Sequence, residues 1–131
     1  MLTARDIMTT DVVTIQCGAT VAEAMRLMLH RGSRALIIHR RNSEDAYGII
    51  TESDIVRKVV ATGQDPNTTI IDEVMTKPCI VVNPDLGVEH IAKLFKHTNI
   101  HQAPVFQEKV IGMVSSSDII RQYEIQMIVM R

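Results

Sequence analysis

The sequence predicts an α/β fold of the α+β kind, built from two copies of one β-α-β-β-α unit. Two repeated patterns support this prediction. GIITESD at 48–54 recurs as GMVSSSD at 112–118, and DIMTTDVVTI at 6–15 aligns with EVMTKPCIVV at 73–82. Apolar residues make up 46% of the 131 residues, with two Phe, two Tyr and no Trp, so the core must be largely aliphatic. We therefore expect a duplicated unit with an aliphatic core.

Each copy is expected to begin with a strand and a helix. The β-branched runs VVTI at 12–15 and CIVV at 79–82 predict short buried strands. In the first copy, Thr20 and Glu23 form a capping-box pattern at the start of the following helix. The two helices are expected to end at residues that tolerate a left-handed conformation, namely Gly32 and Asn99.

Each copy then continues with a hairpin and a second helix. ALIIH at 35–39 and YGII at 47–50 flank a polar turn and predict the first hairpin. APVF at 103–106 and VIGMV at 110–114, joined by a shorter turn, predict the second. The second helices are expected at about 52–61 and from 116 onward.

The repeat pattern divides the chain into two domains. The first repeat covers 1–63 and the second covers 67–131, with the turn-forming residues GQDPN at 63–67 as the linker. Units of this size bury little core alone, so the two are expected to pack through their sheets about a pseudo-two-fold axis. That packing would create two equivalent clefts between the copies.

Composition excludes several classes of function. The formal net charge is −1, which gives no general attraction to nucleic acid or to anionic membranes. No apolar run approaches the roughly 18 residues of a membrane span, and the first ten residues do not resemble a secretory signal. Cys17 and Cys79 form no CxxC pair and predict free thiols in a reducing cytoplasm. Neither a catalytic set nor a metal-ligand spacing is evident, so we expect no enzyme activity and no metal site.

The repeated heptads fit a structural role. Thr51 with Asp54, and Ser115 with Asp118, match the capping-box pattern at a strand-to-helix junction. The hydroxyl would bond a free backbone N–H of the helix, and the carboxylate would reach back to the cap residue. A cap of this kind contributes about 1 kcal/mol.

The same residues also fit a nucleotide site. The heptad glycine would let a flat ligand approach the backbone, and the aspartate carboxylate would accept hydrogen bonds from two ribose hydroxyls. Because the aspartate would repel a phosphate, nearby cations must balance its charge. The sequence offers four such residues at repeated positions, which are Arg34 and His101 before the second strand and Arg57 and Arg121 after each aspartate. The capping and nucleotide interpretations are compatible.

The tandem pattern resembles a pair of CBS domains, the module named after cystathionine β-synthase. The resemblance covers residues 4–61 and 70–123 and includes the Met-Thr pairs at 8–9 and 75–76 and QAPVF at 102–106. It implies a regulatory module that binds an adenosine-containing ligand such as AMP, ADP, ATP or S-adenosylmethionine. It also implies a homodimer, with any regulatory output exerted on a separate effector protein.

The resemblance also implies roles for individual residues, and each cleft would draw on both copies. The ribose and phosphate groups would meet Thr51, Asp54, Ser115 and Asp118, with Arg34 and His101 facing phosphate. The adenine clefts would be lined by Val13, Ile80, Ser33 and Ile100. Pro104 has no proline counterpart in the first copy, which reads ALII at 35–38, so the two clefts need not bind equally.

Two alternatives stay open at this point. The module could sense a ligand, or it could serve only as a structural dimerisation module whose heptads act as helix caps. The apolar ending YEIQMIVMR at 123–131 could pack against a partner chain or fold back onto the core of its own chain.

Overall fold

The computed structural model describes residues 1–129, and these divide into two compact units. The contiguous unit is Val13–Cys79, and the split unit joins Met1–Val12 to the chain from Ile80 onward. This division differs from the sequence repeats, 1–63 and 67–131. The first twelve residues belong with the second repeat, and residues 64–79 belong with the first.

The predicted order helix-strand-strand-helix is present in both copies, which confirms the mixed α/β fold class. The helices are α1 (Ala4–Ile7), α2 (Val21–Arg31), α3 (Glu52–Ile55, continued by a π-helical turn at Val56–Val60), α4 (Val88–Thr98) and α5 (Ser116–Val129). The strands are β1 (Thr14–Ile15), β2 (Ala35–Ile38), β3 (Gly48–Thr51), β4 (Gln102–Gln107) and β5 (Lys109–Ser115). A short 3-10 turn covers Ile71–Glu73.

The contiguous unit is built on a three-stranded sheet. Strand β1 runs parallel to β2, and β2 pairs antiparallel with β3, so that Ala35 lies opposite Thr51. All four side chains of β2 are buried, as expected of a strand with both faces covered. Leu36 and Ile38 of β2 pack in one core with aliphatic side chains of α2, β3 and α3.

Both predicted helix ends are confirmed by the backbone. Thr20 caps α2 by accepting a hydrogen bond from the Glu23 amide at 3.1 Å. The same helix ends at Gly32, which has φ of 62°, and α4 ends at Asn99, which has φ of 58°. Glycine and asparagine are the residues that enter this left-handed region at low cost, so the chain leaves each helix at the position that the sequence indicates.

The predicted strand at 79–82 is wrong except for one residue. Of residues 79–82, only Val82 pairs with the hairpin of the split unit, through an isolated parallel bridge to Val105. In the contiguous unit the amide of Ile37 donates to the carbonyl of Val13 at 3.0 Å. The matching residue of the other copy is Pro104, which has no amide hydrogen to donate, so the strand cannot extend to Ile80.

Each Met-Thr pair packs on the heptad of the other sequence repeat. Thr9 exchanges two backbone hydrogen bonds with Met113, and Thr76 does the same with Ile49, all at 2.9–3.0 Å. The methionine before each threonine then covers the heptad glycine, Met8 at Gly112 and Met75 at Gly48. A protein side chain therefore occupies the space on the Cβ side of each glycine, and the approach of a ligand to the backbone there stays a prediction.

The described part of the apolar ending belongs to α5 and is exposed. Tyr123, Ile125, Met127 and Ile128 are between 45% and 65% exposed, so they are not packed into the core of this chain. The side chain of Val129 and residues 130–131 lie outside the described residues. No helix among residues 1–129 is long and apolar enough to span a membrane.

Candidate functional site

The first site is centred on Asp54 in the contiguous unit. Its Oδ2 accepts a hydrogen bond from the backbone amide of Thr51 at 2.9 Å, and its own amide donates to the Thr51 hydroxyl at 3.1 Å. These two bonds are the predicted capping box. They hold a carboxylate that is only 6% exposed at the point where β3 passes into α3.

The second site is centred on Asp118 in the split unit and repeats this geometry. The Asp118 Oδ2 accepts from the Ser115 amide at 2.8 Å and from the Ser115 hydroxyl at 2.9 Å. The amide of Asp118 donates back to the same hydroxyl at 3.2 Å. The second predicted capping box is therefore confirmed, and Asp118 is also 6% exposed.

The predicted arginines lie beside each carboxylate. Arg57 places Nη2 at 3.9 Å from Asp54 Oδ1, and Lys58 places Nζ at 3.6 Å from the same oxygen. In the second site, Arg121 Nη1 donates to Asp118 Oδ1 at 3.1 Å. Lys58 was missed from the sequence, although its spacing of four residues from Asp54 is a standard helical ion-pair spacing.

The residues before the second strand of each copy adjoin the helix start through the backbone. The carbonyl of Arg34 accepts a hydrogen bond from the Glu52 amide at 3.0 Å, and the carbonyl of His101 accepts one from Ser116 at 2.9 Å. The Arg34 side chain extends into solvent and pairs with Glu52 at 3.8 Å. His101 is exposed as well. Positions 34 and 101 are thus next to the two capped aspartates within their own units.

The residues proposed for the adenine clefts have different surroundings. Val13 is buried, whereas Ile80, released from strand pairing, is 39% exposed. Ser33 is half-buried and donates its hydroxyl to the carbonyl of Ala35 at 2.7 Å. Ile100 is half-buried against the core of the split unit. The adenine role of these four residues stays a prediction.

The twelve predicted site residues divide evenly between the two units. The contiguous unit holds Val13, Ser33, Arg34, Thr51, Asp54 and Arg57. The split unit holds Ile80, Ile100, His101, Ser115, Asp118 and Arg121. Each set therefore has one buried carboxylate at a helix start with at least one arginine beside it, and such a carboxylate can accept hydrogen bonds from ribose hydroxyls.

Another charged cluster lies in the contiguous unit. It connects the polar turn between β2 and β3 with the segment after the 3-10 turn. Asp45 Oδ2 pairs with Lys77 Nζ at 2.8 Å and with Arg41 Nε at 3.2 Å. The hydrogen bond from Lys77, followed by those from Arg41, holds the pKa of Asp45 well below its usual range. None of the predicted site residues takes part in this cluster, so its role is to fix the turn.

The two cysteines and one surface groove include none of the predicted site residues. Cys17 and Cys79 are free, and burial raises the pKa of Cys79 to about 11, so its thiol stays protonated at neutral pH. A half-open groove of about 210 Å³ in the split unit includes no predicted site residue; it is lined by Met1, Leu2, Val88, Glu89, Gln122, Tyr123 and Gln126. Among the described residues, no group of three or more His, Cys, Asp or Glu could hold a metal ion.

A chain with two copies of a small α/β unit, each carrying a capped aspartate at the same junction, belongs to the class of tandem-repeat modules. Residues 4–61 and 71–124 both match the CBS domain. The chain is therefore a member of the CBS domain family, as its resemblance to a tandem pair indicates.

The relatives in sequence are longer than this chain. An uncharacterized protein of Methanopyrus kandleri is 34% identical over 113 residues, which cover 85% of this chain and 57% of that protein. The homoserine O-acetyltransferase of Methanosalsum zhilinae is 35% identical over 120 residues, covering 90% of this chain but 23% of the enzyme. The chain thus spans about half or less of the length of these relatives.

Solved structures share this fold, and two of them match more than nine-tenths of this chain. The hexameric CBS-CP12 protein from bloom-forming cyanobacteria has a TM-score of 0.90 and 52% identity, covering 92% of this chain and 71% of that chain. The CBS domain pair of protein MJ0100, in complex with 5′-methylthioadenosine and S-adenosyl-L-methionine, has a TM-score of 0.81 and 29% identity. That match covers 93% of this chain and 99% of the other.

Proposed function

We propose that this chain is a regulatory module that binds an adenosine-containing ligand, such as AMP, ADP, ATP or S-adenosylmethionine, at the sites of Asp54 and Asp118. The related CBS pair that holds 5′-methylthioadenosine and S-adenosyl-L-methionine supports the adenosyl part of this proposal. Regulation follows if the ligand binds one arrangement of the protein more tightly than another.

The observation that carries the proposal is the paired burial of Asp54 and Asp118. Each carboxylate is 6% exposed, although a helix cap functions equally well at the surface. The cap that Thr3 and Asp6 form in the same chain is such a surface example, since its hydrogen bonds are exposed. A buried carboxylate with exposed basic side chains around it is suited to two ribose hydroxyls and a neighbouring anionic group.

The direct test is thermal unfolding with millimolar AMP, ATP or S-adenosylmethionine. A ligand that binds only the native protein raises the melting temperature, by an amount that grows with ligand concentration. GMP and GTP at equal concentrations are the matched controls for AMP and ATP, because they offer the same ribose and phosphates with a different base. If none of the adenosyl ligands shifts the melting temperature, the ligand-binding proposal fails.

A pair of variants separates binding from capping. Asp54→Ala removes the carboxylate of one capping box, and Glu23→Ala removes that of another capping box in the same unit, far along the chain from the proposed site. We expect both variants to lose about 1 kcal/mol of stability or less. Only Asp54→Ala should weaken ligand binding. Calorimetric titration measures the binding, and an equal affinity in both variants would leave Asp54 with a capping role alone.

A second candidate function is a structural dimerisation module. It is favoured by the exposed apolar side chains of α5, and the hexameric CBS-CP12 relative is an example of assembly in this family. We propose that the chain forms a homodimer and that its effect is exerted on a separate effector protein. Light scattering of the purified chain tests the first, and the ligand titrations above distinguish a pure scaffold from a sensor.

We propose that this protein is not catalytic and that it acts in the cytoplasm. The similarity to homoserine O-acetyltransferase covers under a quarter of that enzyme, so it carries no argument for acyl transfer here. The free thiols of Cys17 and Cys79 fit a reducing compartment. Recovery of an unchanged nucleotide after prolonged incubation with the protein is the expected result of a turnover assay.

A further inference from the structure

The side chain of Met8 fills a space in the split unit that a glycine leaves open. Its Cγ lies 2.9 Å from the position where a Cβ atom of Gly112 would stand, and its sulfur lies closer still. A side chain at position 112 would therefore collide with Met8, which explains the glycine. Met8 also packs against the aliphatic core of the split unit. This methionine thus joins the segment 1–12 to strand β5.

Met8 is half-buried, between the buried Met28, which is 5% exposed, and the exposed Met127, which is 65% exposed. The oxidation of a methionine depends on the exposure of its side chain, and the damage depends on how much packing the side chain provides. Met8 combines a side chain open to small oxidants with a contact that holds two segments together.

Hydrogen peroxide converts a methionine thioether to a sulfoxide. The sulfur–oxygen bond forms as the oxygen–oxygen bond breaks, so the sulfur loses two electrons and the peroxide is reduced to water. The amides nearest to the Met8 side chain along the backbone are already used. Met8 donates to the carbonyl of Ala4 at 2.9 Å, and Thr9 and Met113 donate to each other's carbonyls at the same distance. A sulfoxide oxygen in this place would lack a hydrogen-bond donor, so the oxidised side chain turns out into water.

We propose that Met8 is a reversible oxidation site whose sulfoxide form releases the segment 1–12 from the hairpin of β4 and β5. The oxidant is hydrogen peroxide or another small peroxide, and a methionine sulfoxide reductase restores the contact. The backbone pair between Thr9 and Met113 lies directly beside Met8, so it opens when the side chain leaves. Oxidation thereby acts on the packing of the split unit, and this effect does not depend on ligand binding.

Met75, the matching methionine of the contiguous unit, is packed less deeply against its glycine. Its sulfur lies 2.7 Å and its Cγ 3.6 Å from the Cβ position of Gly48. At Gly112 the carbonyl oxygen of Thr9 crowds the same position at 2.9 Å, whereas the nearest atoms at Gly48 all belong to side chains. A sulfoxide at Met75 therefore has more room to turn, and its formation should loosen the contiguous unit less. The chain contains its own comparison for Met8.

Peroxide treatment of the full chain tests the proposal. Peptide mass spectrometry locates each sulfoxide, and hydrogen exchange followed by NMR reports the amide of Met113, which donates to Thr9. We expect this amide to exchange roughly tenfold or more faster once Met8 is oxidised, and to regain its original rate after treatment with the reductase. Cys17 and Cys79 belong to the contiguous unit, so oxidation of their thiols does not account for a change at Met113.

Two leucine variants identify the sulfur that is responsible. Met8→Leu keeps an apolar side chain of similar size without a sulfur atom, so peroxide should not change its exchange rate at Met113. Met127→Leu removes an exposed methionine, and its response to peroxide should match that of the unaltered protein. Each variant is compared with its own untreated form.

Glutamine variants imitate the polar sulfoxide without an oxidant, and they keep the test available if Met8→Leu does not fold. Met8→Gln should speed the exchange at Met113 roughly tenfold or more. Met75→Gln should have a smaller effect at Ile49, the matching reporter, whose amide donates to Thr76 at 3.0 Å. Equal effects of the two glutamine variants would contradict the special position of Met8.

Three results of the peroxide experiment would overturn the proposal. Met8 could remain a thioether under conditions that fully oxidise Met127, or its sulfoxide could leave Met113 protected. Loss of protection in peroxide-treated Met8→Leu would show that another sulfur is responsible. Each of these results leaves the proposed binding of adenosyl ligands untouched, because that binding is measured by separate titrations.

Discussion

Gly48 and Gly112 occupy equivalent strand positions, and each lies beneath a methionine, but the space around them is not the same. A Cβ atom added at Gly48 would lie 2.7 Å from Met75 Sδ, the flexible end of a side chain. A Cβ added at Gly112 would lie 2.9 Å from the backbone carbonyl oxygen of Thr9. A side chain can move away, whereas a paired backbone cannot without losing its hydrogen bonds.

We therefore predict that Gly112→Ala destabilises the protein by about 1–3 kcal/mol, because the new methyl group must displace the paired Thr9 backbone. Gly48→Ala is the matched control and should cost less than about 1 kcal/mol, since Met75 can adopt another rotamer. Urea denaturation of both variants measures the difference. An equal loss in the two variants would contradict this account of the glycines.

The ion pairs of Asp45 predict that the stability of the folded protein depends on pH. Its pKa is lowered in the folded protein by Lys77 and Arg41, while an unfolded aspartate titrates near pH 3.9. The stabilisation is therefore fully present well above that value and is lost as the pH falls toward the folded pKa. We expect Asp45→Asn to be less stable than the unaltered protein at pH 6, with a difference that narrows toward pH 3.

Thermal unfolding at several pH values measures this effect. Glu44→Gln is the neighbouring control, because Glu44 is exposed and takes part in no ion pair among the described residues. Its melting curve should follow that of the unaltered protein throughout the range. If Asp45→Asn differs from the unaltered protein by the same amount at every pH, the ion pair is not the cause.

Among the elements, the first strand shows how one amide hydrogen decides secondary structure. VVTI and CIVV have similar composition, and yet only the first forms a strand, β1. The difference lies in the partner: Ile37 donates to Val13, and Pro104 cannot donate to Ile80. A prediction from β-branched composition examines the strand alone and misses the partner. Pro104 stands in the sequence, so the loss of the strand at Ile80 could have been predicted by asking which residue of the hairpin would pair with it.

The reverse substitution tests this explanation. Ile37→Pro should remove the hydrogen bond to the buried Val13 carbonyl and cost about 1–3 kcal/mol. Ile37→Val keeps the amide and should cost about 0.5–1.5 kcal/mol. Hydrogen exchange at His39, which donates to Ile15 in the same strand pair, should quicken in the proline variant only. Unchanged protection of His39 in Ile37→Pro would show that β1 holds without that bond.

At the scale of the whole molecule, the sequence shows the duplication and the capped junctions, but not which segment completes which unit. The Met-Thr pairs are interchangeable in residue type, and so are their glycine-containing targets. Met8 could dock on Gly48 as well as on Gly112 by local chemistry. Chain connectivity and packing decide which glycine each methionine contacts, and a repeat pattern carries no information about either. Burial of Asp54 and Asp118 was likewise beyond the sequence, because capping boxes are commonly exposed.

Deleting residues 1–12 tests the division into units. The deletion removes the backbone bonds between Thr9 and Met113 and the buried side chain of Ala4. We expect hydrogen exchange in the hairpin of β4 and β5 to accelerate roughly tenfold or more, since this hairpin loses its flanking segment. The hairpin of β2 and β3 should keep its protection. The opposite result, with β2 and β3 exposed, would assign the first twelve residues to the other unit.

The split unit also has a consequence for synthesis on the ribosome. The contiguous unit is complete once residue 79 has emerged, because every segment it needs has by then been made. Thr9, in contrast, is 104 positions from Met113, the residue that it pairs with. Residues 1–12 therefore remain unpaired at that site until the chain has been made as far as Met113. A nascent chain should pass through a stage in which the hairpin of β4 and β5 folds onto a segment that was made before the contiguous unit.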